Sequence, residues 1–328
     1  LGLPTETVYG LGADADNAAA ISKIFAAKGR PAEHPLIVHV ADSASVAHFA
    51  ASVPEFAQRL MQAFWPGPLT LILPRRSGVA TAAAGGQDSI GLRCPSHPVA
   101  QALLKACRQS DERSGPLPNT VWGIAAPSAN QFGRVSPTTA QHVQSGFADD
   151  LLILDGGACS VGIESTIIDC TRGVPVLLRP GAVTRLQVQA VCGQPVLSGN
   201  EFARSDAPLP RASGTLASHY APNAKVRLME ATEMQTALNL LLPDIDTAGA
   251  AGPVIATFSR SALKTRSAKV LQRRMPADAV ATARQLFAVL RDFDKCGVKL
   301  IWVETPPDTP QWDGVRDRLQ RASSAPDS

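Results

Sequence analysis

Lys28 and Arg30 flank Gly29 at the end of a helix-period run, with Pro31 immediately behind. A lysine offers a compact, mobile charge, and an arginine a planar fork of donors matched to phosphate or carboxylate. Upstream, Pro4-Thr5-Glu6-Thr7-Val8-Tyr9-Gly10-Leu11-Gly12 is a polar turn with two glycines, where a backbone without Cβ can approach a ligand closely. These segments read as one wall of a site for an anionic ligand, which most of residues 1–185 completes.

Familiar nucleotide motifs do not account for them. Gly10-x-Gly12-x-x-Ala15 has the outline of a dinucleotide fingerprint, but Thr5, Glu6 and Thr7 are poor residues for the buried strand that should precede it. The apolar run at 36–40 also passes straight into the helix start Asp42-Ser43, with no ribose-binding acid. There is no G-x-x-x-x-G-K-[ST], which excludes a P-loop ATPase, and no H-E-x-x-H or G-x-S-x-G.

Each candidate has a plainer role when taken alone. Arg93 and Arg179 follow strand patterns, where an arginine reaches out to solvent. His39 ends an apolar strand, as hydrogen-bonded core histidines do. Ser128 and Ser136 suit a cap for the helix after Pro137, and Thr7 suits a strand. Lys28 complements a helix dipole, yet the Gly29-Arg30-Pro31 turn has no structural need for a second cation. Only the joint pattern favours a site.

The elements that must position these residues follow from period and punctuation. Asp16 or Asn17 caps a helix through about Ala27, with Ile21, Ile24 and Phe25 inward; Gly29 stops it, and Arg30-Pro31 prevents resumption. Strands are predicted at 36–40, 69–73, 89–93, 122–126, 151–154, 166–170 and 175–178, and helices near 45–51, 54–64, 97–107 and from 138. The polar stretch at 108–121, with Gly115, Pro116 and Pro118, reads as a surface loop without chemistry. This alternation predicts an α/β domain over 1–185, with ligand sites at its polar corners. A helix at 185–192 leads into a proline-bearing linker, 186–223. A smaller Rossmann-like α/β domain follows over 224–322, with strands at 226–229, 254–258, 270–272 and 298–303 and helices at 233–242, 278–293 and 312–321; 323–328 is a frayed tail.

Composition narrows the class. The 328 residues are 45% apolar and 18% charged, as in a folded globular chain. Residues 1–185 hold 14 Lys plus Arg against 14 Asp plus Glu, so the net charge of +3 arises entirely beyond them, and a general nucleic-acid scaffold is disfavoured. The six cysteines form no C-x-x-C pair, which argues against a zinc knuckle or a disulfide framework and for reduced core thiols in a cytosolic protein. No apolar run is long enough for a membrane span. The chain opens on Leu1 in mid-strand, so an earlier strand is expected upstream.

Eight segments in one order carry a resemblance: PTETVYGLG at 4–12, AKGRP at 27–31, PLIVHV at 35–40, WPGPLT at 65–70, APSAN at 126–130, LDGG at 154–157, ESTI at 164–167 and LLRPG at 177–181. Residues 1–185 thereby resemble the YrdC family of threonylcarbamoyl-AMP synthases. SHYAPN at 218–223 and the α/β unit after it resemble that family's two-domain branch. The resemblance implies a YrdC-like twisted mixed sheet and a nucleotidyltransferase reaction, in which L-threonine, bicarbonate and ATP give threonylcarbamoyl-AMP and pyrophosphate. It implies Lys28, Arg30 and Arg179 on the triphosphate, with Lys28 and Arg30 catalytic, and Ser128, Asn130 and Ser136 on phosphate or ribose. It adds His34, Ser89 and Tyr220 to the ATP contacts, and assigns Thr7, His39, Arg93, Ser165 and Thr166 to L-threonine. His34 and Ser89 depart from the family, which has a small amide and a threonine there. Mg2+ would travel on the ATP phosphates, without a dedicated protein cage. The product would pass in the cytoplasm to threonylcarbamoyl transferase machinery acting on tRNA. The alternative is a module that binds double-stranded RNA, weakly given its neutral charge, or nucleotide, without catalysis. A hydrogenase-maturation carbamoyltransferase would need zinc-binding cysteine pairs, and none is present.

Overall fold

The structure, a computed structural model, describes residues 1–108, 110–111, 115–116, 120–147, 149–202, 210–214, 219–247 and 252–324. Half of the loop expected at 108–121, Ser218 of the SHYAPN segment and the last four residues of the tail lie outside the described residues. Contacts divide the chain into two units, Leu1–Phe132 with Ser136–Thr215, and Gly133–Val135 with Leu216–Ser328.

The first unit is built on an eight-stranded mixed sheet. Its spatial order is Leu197–Ser198, Val176–Arg179, Thr166–Asp169, Leu69–Pro74, Ser89–Arg93, Ile37–His39, Ile124–Ala125 and Ala13–Asp14. Leu69, Thr70, Leu71, Ile72 and Leu73 are all buried, so this strand is covered on both faces, as its continuous apolar run requires. Thr166–Asp169 runs parallel to Leu69–Pro74, and Ile37–His39 parallel to Ser89–Arg93. The Leu69–Pro74 and Ser89–Arg93 strands are antiparallel, as are Thr166–Asp169 with Val176–Arg179 and Ile37–His39 with Ile124–Ala125. These directions have one consequence for chemistry. The starts of Leu69–Pro74, Thr166–Asp169 and Ile124–Ala125 share one end of the sheet with the finishes of Ile37–His39, Ser89–Arg93 and Val176–Arg179. His39, Arg93, Ser165, Thr166 and Arg179 therefore all stand at the same edge.

The helix Ala18–Lys28 forms as its caps dictate. The Asn17 side chain accepts from the Ala20 amide, and Gly29 takes the left-handed conformation at φ 59°, so that the Arg30 amide can close on the Phe25 carbonyl at 3.0 Å. Ile21, Ile24, Phe25 and Lys28 face inward. One predicted strand is absent. Residues 151–154 do not join the main sheet; Ile153 forms an isolated bridge to Gly2, with Gly2 N on the Leu152 carbonyl at 2.7 Å. The Asp155-Gly156-Gly157 turn ends the pairing at once: Tyr9 Oη accepts from Gly156 N at 3.0 Å and donates to the Gly157 carbonyl at 2.8 Å.

The second unit has a parallel four-stranded sheet, in the order Lys225–Met229, Leu300–Glu304, Ile255–Ser259 and Val270–Arg274. Its helices are Ala231–Thr247, Ala279–Lys295 and Asp313–Ser323. The amphipathic helix Ala279–Lys295, capped by Asp278, buries Ala283, Leu286, Phe287, Leu290 and Phe293. Ala231–Thr247 continues past Pro243, where a stop was expected, and the Thr247 hydroxyl bonds back to the Pro243 and Asp244 carbonyls. Among the described residues no helix is long and apolar enough to cross a membrane.

Candidate active site

Arg93 anchors the shared sheet edge. Its Nη2 lies 2.7 Å from Oε1 of Glu6, its Nη1 donates to Thr7 Oγ1 at 2.7 Å, and its Nε donates to the Gly67 carbonyl at 3.3 Å. Glu6 Oε2 accepts from the Ser96 amide at 3.1 Å. Thr5 Oγ1 donates to the Val8 carbonyl at 2.6 Å and lies 2.9 Å from Thr7 Oγ1, which fixes the polar turn. Both members of the ion pair are buried. Burial alone would raise the Glu6 carboxyl, but the charge and hydrogen bond of Arg93 overcome it and hold the group below its ordinary value. Beside it, His39 pairs in register with Arg93. Burial first, then the Arg93 charge, push its imidazole down to about 3 against the opposing pull of Glu6, so it is neutral at physiological pH. His39 Nδ1 is buried without a hydrogen-bond partner.

Arg179 finishes its strand at the same edge. Its Nε and Nη2 donate to the Ser165 carbonyl at 3.0 and 2.9 Å, Nη2 also reaches Ser165 Oγ at 3.2 Å, and Nη1 donates to the Ser213 carbonyl at 2.8 Å. Ser165 Oγ is 2.7 Å from Thr70 Oγ1. The Thr166 hydroxyl is spent on the turn, donating to the Val183 carbonyl at 2.7 Å and accepting from the Val183 amide at 3.2 Å. Gly181 brings the backbone here: a Cβ on it would sit 2.5 Å from Thr166 N.

Lys28 turns inward from its helix end and donates to the carbonyls of Ser128, at 2.6 Å, and Asn130. It is 2% exposed; burial first, then the charge of Arg30, lower its ammonium to about 7. Its loop is tied to the polar turn, because Ala129 N donates to the Tyr9 carbonyl at 2.8 Å and Gly10 bridges Ser128. Ser136 Oγ donates to Glu164 Oε1, next in sequence to Ser165. Asn130 Nδ2 donates to the Gln131 carbonyl at 2.7 Å. Arg30 donates from Nη2 to the Pro35 carbonyl at 3.0 Å and lies 5.7 Å from the Phe132 ring, which His34 meets edge-on at 5.6 Å. Burial, then the Arg30 charge, lower the His34 pKa.

The structure thus knits Thr7, His39, Arg93, Ser165, Thr166 and Arg179 along one edge, and joins Lys28, Ser128 and Asn130 to it through the turn at Tyr9. Ser89 stands apart, at the opposite end of the strand that Arg93 finishes. It lines a narrow cleft on the sheet face with Thr70, Gly91 and Ile167, where residues 211–213 also lie. Gln87 holds that segment through Arg211 N at 2.8 Å and the Arg211 carbonyl at 3.2 Å. Tyr220 belongs to the second unit, at φ 63°, its ring 5.5 Å from Phe287 and 5.3 Å from the Arg318 guanidinium.

Sequence reasoning passed over Glu6, Thr5, Thr70 and Glu164. For Glu6 a signal was present, since an acid between two threonines is costly in a buried turn unless a cation meets it. Thr70 and Glu164 lay inside recognised segments without a distinguishing pattern. Among the described residues no three His, Cys, Asp or Glu side chains converge in a group that could hold a metal ion.

Fold and site together define a class: a mixed α/β domain that gathers buried cations and hydroxyls at one sheet edge, followed by a small parallel α/β domain. The Sua5/YciO/YrdC family model, described as "Telomere recombination", matches residues 1–181, and the Sua5 model described as "Threonylcarbamoyl-AMP synthase, C-terminal domain" matches 183–324. The chain belongs to this Sua5/YciO/YrdC family, in its two-domain form. The threonylcarbamoyl-AMP synthase of Bacillus subtilis is 37% identical over 323 residues, covering 98% of this chain and 88% of its own. That of Pyrococcus abyssi is 36% identical over 327 residues, covering 98% and 89%. The crystal structure of Pyrococcus abyssi Sua5 complexed with L-threonine superposes with a TM-score of 0.82 at 34% identity, covering 98% of this chain and 89% of that one.

Proposed function

We propose that this chain is an L-threonylcarbamoyladenylate synthase, a nucleotidyltransferase that makes threonylcarbamoyl-AMP and pyrophosphate from L-threonine, bicarbonate and MgATP. The observation that carries the reading is the gathering of His39, Arg93, Ser165 and Arg179 at one sheet edge beside Thr7, since an amino acid needs both a cation and hydroxyls within reach. The crystal structure of a full-length relative with L-threonine supports it. In this reading the threonine amine takes up carbon dioxide from bicarbonate as a carbamate. A carbamate oxygen attacks the α-phosphorus, and pyrophosphate leaves. Positioning and charge neutralisation dominate such a step. A guanidinium has five N–H donors, and on Arg93 the protein hydrogen bonds above use one on Nη1 and the one on Nε, with Glu6 beside Nη2 as an ion pair, so donors remain for the threonine carboxylate. Neutral His39 offers Nδ1 to a substrate hydrogen bond. Lys28, Arg30 and Arg179 take the triphosphate, where charge moves onto the leaving group. Ser128, Asn130 and Ser136 take phosphate or ribose, Mg2+ arrives on the ATP phosphates, and the product goes in the cytoplasm to transferase machinery acting on tRNA. The test is pyrophosphate release from ATP in bicarbonate buffer. Release should require threonine, and a rate equal to the threonine-free control refutes the reading.

A further inference from the structure

We propose that Glu6 is a positioning residue that aims Arg93 at the carboxylate of the amino acid. The inference rests on the functional reading above and goes beyond it, because Glu6 itself need touch no substrate atom. Its carboxylate faces two groups, with Arg93 Nη2 paired 2.7 Å from Oε1 and Ser96 N, three residues beyond the strand end, donating to Oε2 at 3.1 Å. Its own carbonyl is held by the Val161 amide at 2.7 Å, so the acid is fixed from both sides.

Stability alone gives little reason for this arrangement. A buried ion pair regains only part of the desolvation cost of its two charges, and apolar residues of similar volume serve a core as well or better. What the pair does supply is orientation. Thr7 on Nη1 and Gly67 on Nε hold two nitrogens of the guanidinium by hydrogen bonds, and the Glu6 carboxylate lies against the third, Nη2, as an ion pair at 2.7 Å. A planar group hydrogen-bonded at two nitrogens and drawn by charge at the third has little freedom to swing, so the directions of its remaining N–H groups are set. Glu6 also balances the Arg93 charge while the site is empty.

The test is Glu6→Gln in the full chain, with kcat and the KM of each substrate measured by pyrophosphate release and threonine binding measured by calorimetry. An amide must turn its NH2 toward either Arg93 or Ser96 and cannot accept from both. Losing the charge-assisted contact should raise the threonine KM and Kd about tenfold or more. The ATP KM should stay within about twofold, because a residue acting only through Arg93 touches one substrate. A threonine KM within about twofold of wild type overturns the proposal, as does a fall in kcat with both KM values unchanged, the mark of a smaller folded fraction. If Glu6→Gln does not fold, Glu6→Asp decides. It keeps the charge but shortens the reach, so an intermediate rise in threonine KM supports the role and an unchanged one overturns it. The wild type separates this from the wider reading: if it releases no pyrophosphate with threonine, the assigned reaction falls, and if it does while the variants leave the threonine KM unmoved, only the role of Glu6 falls.

Discussion

Lys28 gives the most demanding test of the site's electrostatics, because its ammonium is buried and lowered from 10.5 to about 7. At about 1.4 kcal/mol per pH unit, that interval sets a ceiling of about 5 kcal/mol on the cost of keeping it charged in the folded chain. The Ser128 and Asn130 carbonyls accept from the ammonium and offset part of this. The sign follows from proton counting. The unfolded chain keeps the lysine proton up to 10.5, whereas the folded chain releases it from about 7, so the unfolded state binds more protons in between and stability rises with pH. Between pH 7 and 9 one proton contributes at most about 3 kcal/mol, and roughly half of that after the carbonyls are counted. Lys28→Met cannot titrate and should lack the rise. At about 2–4 °C per kcal/mol for a unit of this size, the wild-type Tm should gain about 3–6 °C on the variant between pH 7 and 9. Thermal unfolding at constant ionic strength reads this directly, and the difference between the two proteins cancels the other titrating groups. Parallel curves refute the reasoning. Triphosphate beside Lys28 should restore its proton, so ATP binding near pH 8 should take up protons, seen by calorimetry in buffers of different ionisation enthalpy. The variant should take up fewer, and its turnover should fall by about a hundredfold or more.

Two further outcomes follow from the same edge. Gly181→Ala places a Cβ 2.5 Å from Thr166 N and 2.8 Å from the Glu164 carbonyl, which are backbone atoms flanking Ser165. It should cost about 1–3 kcal/mol in urea unfolding and raise the threonine KM; a KM that stays put would show that the strand start has moved without disturbing the site. His39 titrates near 3 in the folded chain and near 6.5 when unfolded, so the unfolded state binds its proton first and stability falls as pH drops from 6.5 toward 3. His39→Gln should flatten that loss, read as the difference in urea midpoints at pH 7 and 4.5, and an undiminished loss would place acid sensitivity elsewhere.

Local chemistry was legible where a residue's neighbours in sequence are its neighbours in space. Asn17 and Gly29 announce both ends of the first helix because capping is made within a few residues. The Ser89–Arg93 strand reads directly from its apolar alternation and flanking turns. Residues 151–154 have the same apolar look, but their partner is Gly2, and no local pattern tells a strand which edge will receive it. The site divides in the same way. Arg93 and Arg179 could be named as cations after strands, yet the end of the sheet they share depends on strand directions set by long connections. Their partners were hidden for that reason. Nothing near Arg93 in the chain indicates that Glu6 will meet it, whereas the strand predicted at 89–93 already sets Ser89 and Arg93 at opposite ends.

Three of the buried cations at this site meet the cost of desolvation in different ways. Arg93 cannot lose its proton, so an acid is placed against it. Arg179 is equally fixed in charge, and it donates to the Ser165 and Ser213 carbonyls, whose dipoles stabilise it. Lys28 can shed its proton, and among the described residues it meets two carbonyls and a neighbouring Arg30 that discourages the charge. The division suits the ligands assigned to each. A carboxylate facing Arg93 meets a cation already neutralised, so its binding depends on geometry more than on net charge. A triphosphate facing Arg179 and Lys28 meets one permanent charge and one that it can call up by binding. An ion that must enter and leave in every cycle is better met by charge that appears with it than by charge left uncompensated in the empty site.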